Sequence, residues 1–167
     1  IVDGFINNND RNSGNWGILR YSDGSVTLAP IYDNGASFST KMSDEKIKEL
    51  LQDEKRFISS AINTVTGYNI EGKTLHFRNF LKLDDEDIQN AVKRVVPLLC
   101  RHMDEISNFI NEIPESENGI DIISKDRKEF YIKSMIFRLQ HLLIPALEHV
   151  QIYEKENKMN QNTEQII

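Results

Sequence analysis

Residues 7–38 read NNNDRNSGNWGILRYSDGSVTLAPIYDNGASF, and the rest of the chain is best understood from this stretch outward. Two runs rich in Asn, Asp and Gly flank two short apolar segments. Residues 16–21 have the composition of a strand, Ser22-Asp23-Gly24-Ser25 sets Asp-Gly at the centre of a tight turn, and Val26–Leu28 returns. A hairpin brings its two ends side by side. Asp10 and Asn15 precede it and Asp33 comes after it, so two carboxylates and one amide are expected together at its open end.

Composition bounds the rest. The chain has 167 residues, 39% of them hydrophobic, which suits one core and not two compact domains. The single Cys100 cannot close an internal disulfide, and no Cys or His stands at metal-ligand spacing. A zinc site is therefore not expected, and a reducing, cytoplasmic setting is. No segment approaches the run of about 18 apolar residues that spans a membrane, and residues 1–8 lack the build of a signal peptide. A net charge of −6 argues against nucleic-acid binding by bulk electrostatics. The chain opens at Ile1 and enters dense polar sequence at once, from which a piece of a longer polypeptide is expected.

Around the hairpin the text is helical. Residues 1–8 read as a helix end stopped by Asn7 and its neighbours. Ser43 before Asp44 and Glu45 is an N-cap for a helix to Gln52, and a second segment covers 57–65. Two long helices come next. Asp84 is expected to cap the first, with Ile88, Val92, Val95, Leu99, Ile106, Ile110 and Ile113 in an apolar stripe and Pro97 kinking or splitting it. Ser124 caps the second, whose buried side runs from Ile132 to Val150 past Pro145. Residues 114–119 form a loop, and the polar 154–167 a frayed tail. No internal repeat is present.

The spacing Asp-x₄-Asn, hairpin, Asp-x-Gly has a chemical sense. Phosphoryl transfer from a nucleotide needs a carboxylate to orient the attacking hydroxyl and take its proton, and oxygen ligands to hold Mg²⁺ against the phosphates. Asp10-Arg11-Asn12-Ser13-Gly14-Asn15 and Asp33-Asn34-Gly35 match the catalytic and metal loops of protein-kinase-like enzymes. With LAPIYDNG at residues 28–35, the stretch resembles the HipA-like serine/threonine kinases, whose loops read N-x-D-R-H-x-x-N-F-G and L-A-P-L-Y-D-N-G.

The resemblance covers about residues 5–38 and implies that Asp10 is the catalytic base, that Asn15 and Asp33 bind Mg²⁺, and that ATP is the donor. It implies a mainly α fold with a small β-hairpin, the C-terminal lobe portion of a protein-kinase-like fold. In that reading residues 1–153 are the lobe fragment: catalytic loop 8–15, hairpin 16–28, metal loop 30–37, helical region 43–153. The partners it implies are a protein substrate with a Ser/Thr acceptor, the missing N-terminal lobe of the same chain, and an antitoxin if the parent is the toxin of a toxin–antitoxin pair. Without that lobe the fragment is expected to be inactive. The departure from the pattern is Asn12, where the family usually has His. Phosphatidylinositol-kinase-like enzymes and aminoglycoside phosphotransferases share the grammar, so a lipid or small-molecule acceptor is an alternative, as is a non-catalytic, pseudokinase-type binding module.

Other features have plainer readings. Turn chemistry alone accounts for Asn, Asp and Gly singly but not for two turns joined at this spacing. A calcium loop starting at Asp10 fails, since Asn15 replaces its Gly and Tyr21 its Glu. Trp16 and Tyr32 are expected in the core and Cys100 as a buried thiol. His102, His141 and His149 receive no role, Asp84-Asp85-Glu86-Asp87 reads as helix capping, and the basic residues Lys125, Arg127, Lys128, Lys133 and Arg138 read as a solvated face.

Overall fold

The computed structural model describes residues 1–70 and 72–164, with side chains except those of 66, 68, 70 and 157–164. The fold is mainly helical, with three separate two-stranded antiparallel sheets among the described residues. Helix α1 (Val2–Ile6) stops where Asn7 turns left-handed at φ 56°. A single 3₁₀ turn (Ser13–Asn15) leads to β1 (Ile18–Arg20) and β2 (Val26–Leu28), paired Ile18 to Leu28 and Arg20 to Val26. Gly24, at φ 84°, supplies the left-handed turn position, and Asp23 Oδ1 accepts from the Ser25 N–H at 2.8 Å.

Helices α2 (Asp44–Gln52) and α3 (Glu54–Ile62) are capped by Ser43 and Asp53, whose side chains accept from the Lys46 and Arg56 amides. The segment expected as helix over 57–65 breaks at Ile62, and the chain enters an unexpected hairpin, β3 (Val65–Ile70) with β4 (Lys73–His76). Val65 and Thr66 are β-branched and Gly67 is a poor helix former, so the helical text cannot continue. A short α4 (Phe77–Phe80) then leads to α5 (Glu86–Glu112).

Helix α5 is one 27-residue helix with Pro97 inside it and is not split. Its cap is Asp85, which accepts from the Ile88 amide, while the expected cap Asp84 bonds the Gln89 side chain. A small hairpin, β5 (Ser116–Glu117) and β6 (Ile120–Asp121), replaces the expected loop. Ser124 caps α6 (Lys125–Arg138) as expected. A π-helical turn (Leu139–Leu143) joins α6 to α7 (Ile144–Glu164), just ahead of Pro145, where a wider turn relieves the proline's clash with the preceding carbonyls. The expected tail 154–167 falls partly on α7, and residues 165–167 lie outside those described. None of the described helices is long and apolar enough to cross a membrane.

The main core joins Phe5 of α1, Phe77 and Leu81 around α4, Val92, Val96, Met103 and Ile110 of α5, and Met135, Leu139 and Leu143 of α6 and the π turn. Each such side chain fully withdrawn from water contributes about 1.5–3 kcal/mol. A second cluster sets Ile47 and Leu50 of α2 against Phe130 of α6 and Phe57 of α3. Helix α6 is thus wrapped on several sides, which corrects the expectation of a solvated basic face. Lys128 and Arg138 are buried, and Lys128 Nζ donates to the Asn111 carbonyl at 3.1 Å. Arg138 Nε donates to the Phe5 carbonyl at 2.8 Å, and burial pushes its guanidinium down to about 10. Trp16, Tyr32 and Cys100 are exposed rather than buried, which corrects the expectation that all three lie in the core.

Candidate active site

The loop after α1 is built by its own side chains. Asn8 is 1% exposed, donates to Asp3 Oδ1 at 3.1 Å and accepts from the Asp10 amide at 3.2 Å, fixing the backbone that carries Asp10. The Asp10 carbonyl then accepts from two amides, Asn15 Nδ2 at 2.9 Å and Asn12 Nδ2 at 3.2 Å. Asn12 also accepts from the Gly14 amide at 2.9 Å, so it starts the 3₁₀ turn that delivers Asn15. The residue that departs from the kinase pattern therefore has a structural task here.

Arg11 joins this loop to the one after the hairpin. It is 3% exposed, pairs with Asp3 at 2.8 Å, and donates to the Tyr32 carbonyl at 2.5 Å and to Asn34 Oδ1 at 2.6 Å. It therefore holds the residues on both sides of Asp33. A second link runs the other way: the Tyr32 hydroxyl reaches the carbonyls of Gly14 and Trp16 at 2.9 and 2.8 Å. Asp33 itself sits at φ 56°, a left-handed conformation that Asp tolerates better than most residues and that re-aims its side chain. Beyond it, the Phe38 ring packs at a tilt of 31° against Tyr131 of α6, centroids 4.9 Å apart, anchoring the loop to the helical body.

Of the candidate residues, Asp10 and Asn15 share one loop, tied through the Asp10 carbonyl, and Asp33 lies in a second loop clamped to the first by Arg11 and Tyr32. Both carboxylates are exposed, and neither accepts a hydrogen bond from the described residues. Asn15 is 8% exposed and uses its N–H for Asp10, which leaves its amide oxygen as an available acceptor. An oxygen-only set of two carboxylates and an amide suits a hard cation such as Mg²⁺.

Three further residues were missed in the sequence. Asp3 and Arg11 form the buried pair on which both loops rest; an Arg inside the motif gave no sign of burial. Gly67 of β3 lies so close to the loop that a Cβ there would stand 2.2 Å from the Arg11 carbonyl oxygen. Its only trace is a glycine inside a β-rich stretch.

No protein-family model matches the chain. Its fold is kinase-like: it matches the crystal structure of a Helicobacter pylori proinflammatory kinase CtkA with a TM-score of 0.80 and 23% identity, over 91% of this chain and 54% of that one. In sequence the chain is similar to the serine/threonine-protein kinase CtkA of Helicobacter pylori, with 25% identity over 134 residues. That alignment covers 78% of this chain and 38% of CtkA, so the match reaches less than half the length of this relative.

Proposed function

We propose that the chain is the large-lobe part of an ATP-dependent serine/threonine protein kinase. Asp10 is the group that orients and deprotonates the acceptor hydroxyl, and Asn15 and Asp33 hold Mg²⁺. Bound there, the ion would neutralise charge on the nucleotide phosphates. The observation that carries this reading is the clamp: two carboxylates without a partner among the described residues stand on loops held together by one buried arginine, on a kinase-like fold. The exposed apolar side chains of the hairpin and the loop after it, among them Trp16, Ile18, Leu19, Val26, Leu28 and Tyr32, support it further. They offer a surface for a second lobe to close over a nucleotide, as kinases require.

Within kinases, the LAPIYDNG stretch favours the HipA-like group, and with it the role of a toxin neutralised by an antitoxin protein. A non-catalytic, pseudokinase-type module is the second reading, and the part Asn12 takes in shaping the loop supports the catalytic one. The test is phosphotransfer from labelled ATP by the full native polypeptide that contains this chain, with Asp10→Ala and Asp33→Ala. Loss of the base lowers the rate by about two to four powers of ten. Equal rates in both variants and the parent would rule the kinase reading out, and label in lipid or a small molecule would move the acceptor.

A further inference from the structure

A cleft of about 560 Å³ opens where α4 faces the π turn and the start of α7. Its floor is apolar, with Leu81 and Leu142 among its lining, and its rim carries Arg78, Lys82, His141 and His149. The π turn brings His141 and Leu142 to the wall, and the Phe137 ring packs on the His141 imidazole at 4.2 Å. Single π turns recur at functional positions because they displace side chains from the regular helical track. None of these residues belongs to the two loops described above.

The charge pattern is unusual for this chain. It has 26 acidic against 20 basic residues, yet no carboxylate lines the cleft. The Arg78 and Lys82 side chains form no hydrogen bond or ion pair among the described residues. A one-sign rim over low-dielectric walls concentrates its field on the space between them. The volume lies within the range of about 300–1,000 Å³ typical of small-molecule sites, where an apolar wall holds the body of a ligand and a few polar groups fix its head.

We infer that this cleft binds a small amphiphilic anion, with its apolar body against Leu81 and Leu142 and a carboxylate or phosphate head between Arg78 and Lys82. The head needs acceptor oxygens only, because guanidinium and ammonium groups donate and cannot accept. A volume of this size suits a small molecule better than a folded partner, whose interface would occupy about 800 Å² of this surface.

Calorimetric titration of the full native polypeptide with decanoate and with decyl phosphate, each below its micelle concentration, tests the assignment. Inorganic phosphate and decyltrimethylammonium are the controls for head alone and for body with opposite charge. Both anions are expected to bind, the tighter one identifying the head, and both controls to bind about tenfold more weakly or less. The double variant Arg78→Gln, Lys82→Gln, at two exposed positions, is expected to lose about tenfold in affinity with its unfolding midpoint unchanged, the order set by hydrogen bonds to charged groups. The assignment is overturned if neither anion binds at millimolar concentration, if the cationic amphiphile binds as well as the anions, or if the double variant binds them undiminished. A Glu-rich peptide with one Leu that binds tighter than either amphiphile would also overturn it, in favour of a protein ligand.

Discussion

Arg11 Nη2 donates to Asn34 Oδ1 at 2.6 Å and to Asp3 Oδ1 at 2.8 Å, so a single buried side chain ties α1, the Asp10 loop and the Asp33 loop to one another. Arg11→Met would leave Asp3 largely buried without its counter-charge. The expected loss is about 3–5 kcal/mol, as for breaking a buried pair from one side. Asn34→Ala removes one hydrogen bond to a charged group, about 1.5–3 kcal/mol at most. Urea unfolding of both single variants and the double variant measures the coupling; strictly additive losses would mean that Arg11 does not bond the Asn34 side chain in solution.

Gly67→Ala is expected to act on the Asp10 loop from outside it. The added methyl meets the Arg11 carbonyl oxygen at 2.2 Å, and a backbone atom cannot move aside without taking its neighbours with it. Overpacking of this kind costs about 1–3 kcal/mol. If Asp10 is the base, phosphotransfer falls further than the stability loss alone explains, which rate measurements at a temperature where the variant is fully folded would reveal.

Gly4→Ala forces a methyl to within 2.3 Å of the Phe77 ring, itself 1% exposed in the main core. A destabilisation of about 1–3 kcal/mol is expected. Phe77→Leu made in the Gly4→Ala background should recover part of it, although alone it leaves a cavity. A denaturation midpoint that the second substitution lowers further would show that the ring is not the obstacle.

Acid should loosen the junction of α2 and α6. The Ser124 hydroxyl, and then the Arg127 guanidinium, hold the Asp44 carboxylate below the ordinary range for Asp. A lowered folded value means that the charged form is favoured by folding: this stability is present above the ordinary Asp range and is lost as pH falls through and below it. The pair is partly exposed, so the effect is about 0.5 kcal/mol. Asp44→Asn should flatten that portion of the stability–pH curve below pH ~4, measured by chemical denaturation at successive pH values; an unchanged slope would mean that the contact contributes nothing.

What could be read from the chain and what could not divides along physical lines. The first hairpin, the caps at Ser43 and Ser124 and most of the apolar periodicity of α5 and α6 are local signals, and the structure reproduces them, with Val96 and Met103 taking the core places expected of Val95 and Ile113. The β3–β4 hairpin escaped because its segment, 65–76, is short and its apolar residues fit neither period cleanly. The burial of Arg11, Lys128 and Arg138 depends on elements distant in sequence, which no local pattern encodes. The exposure of Trp16, Tyr32 and Cys100 was misread for the opposite reason: composition marks an apolar surface without saying whether anything lies over it. Within the candidate site, the spacing of Asp10, Asn15 and Asp33 was visible, whereas the Asp3–Arg11 pair supporting it was not.

The bond from Arg138 to the Phe5 carbonyl spans 133 positions of the chain, so the helix that launches the Asp10 loop is fastened by a residue synthesised long after it. The clamp of Arg11 on Asp3, Tyr32 and Asn34 lies wholly within residues 1–38, whereas the bond between α1 and α6 waits until α6 has been made. A polypeptide cut short before residue 138 therefore retains Asp10, Asn15 and Asp33 while lacking the strut that fastens α1 to the helical body.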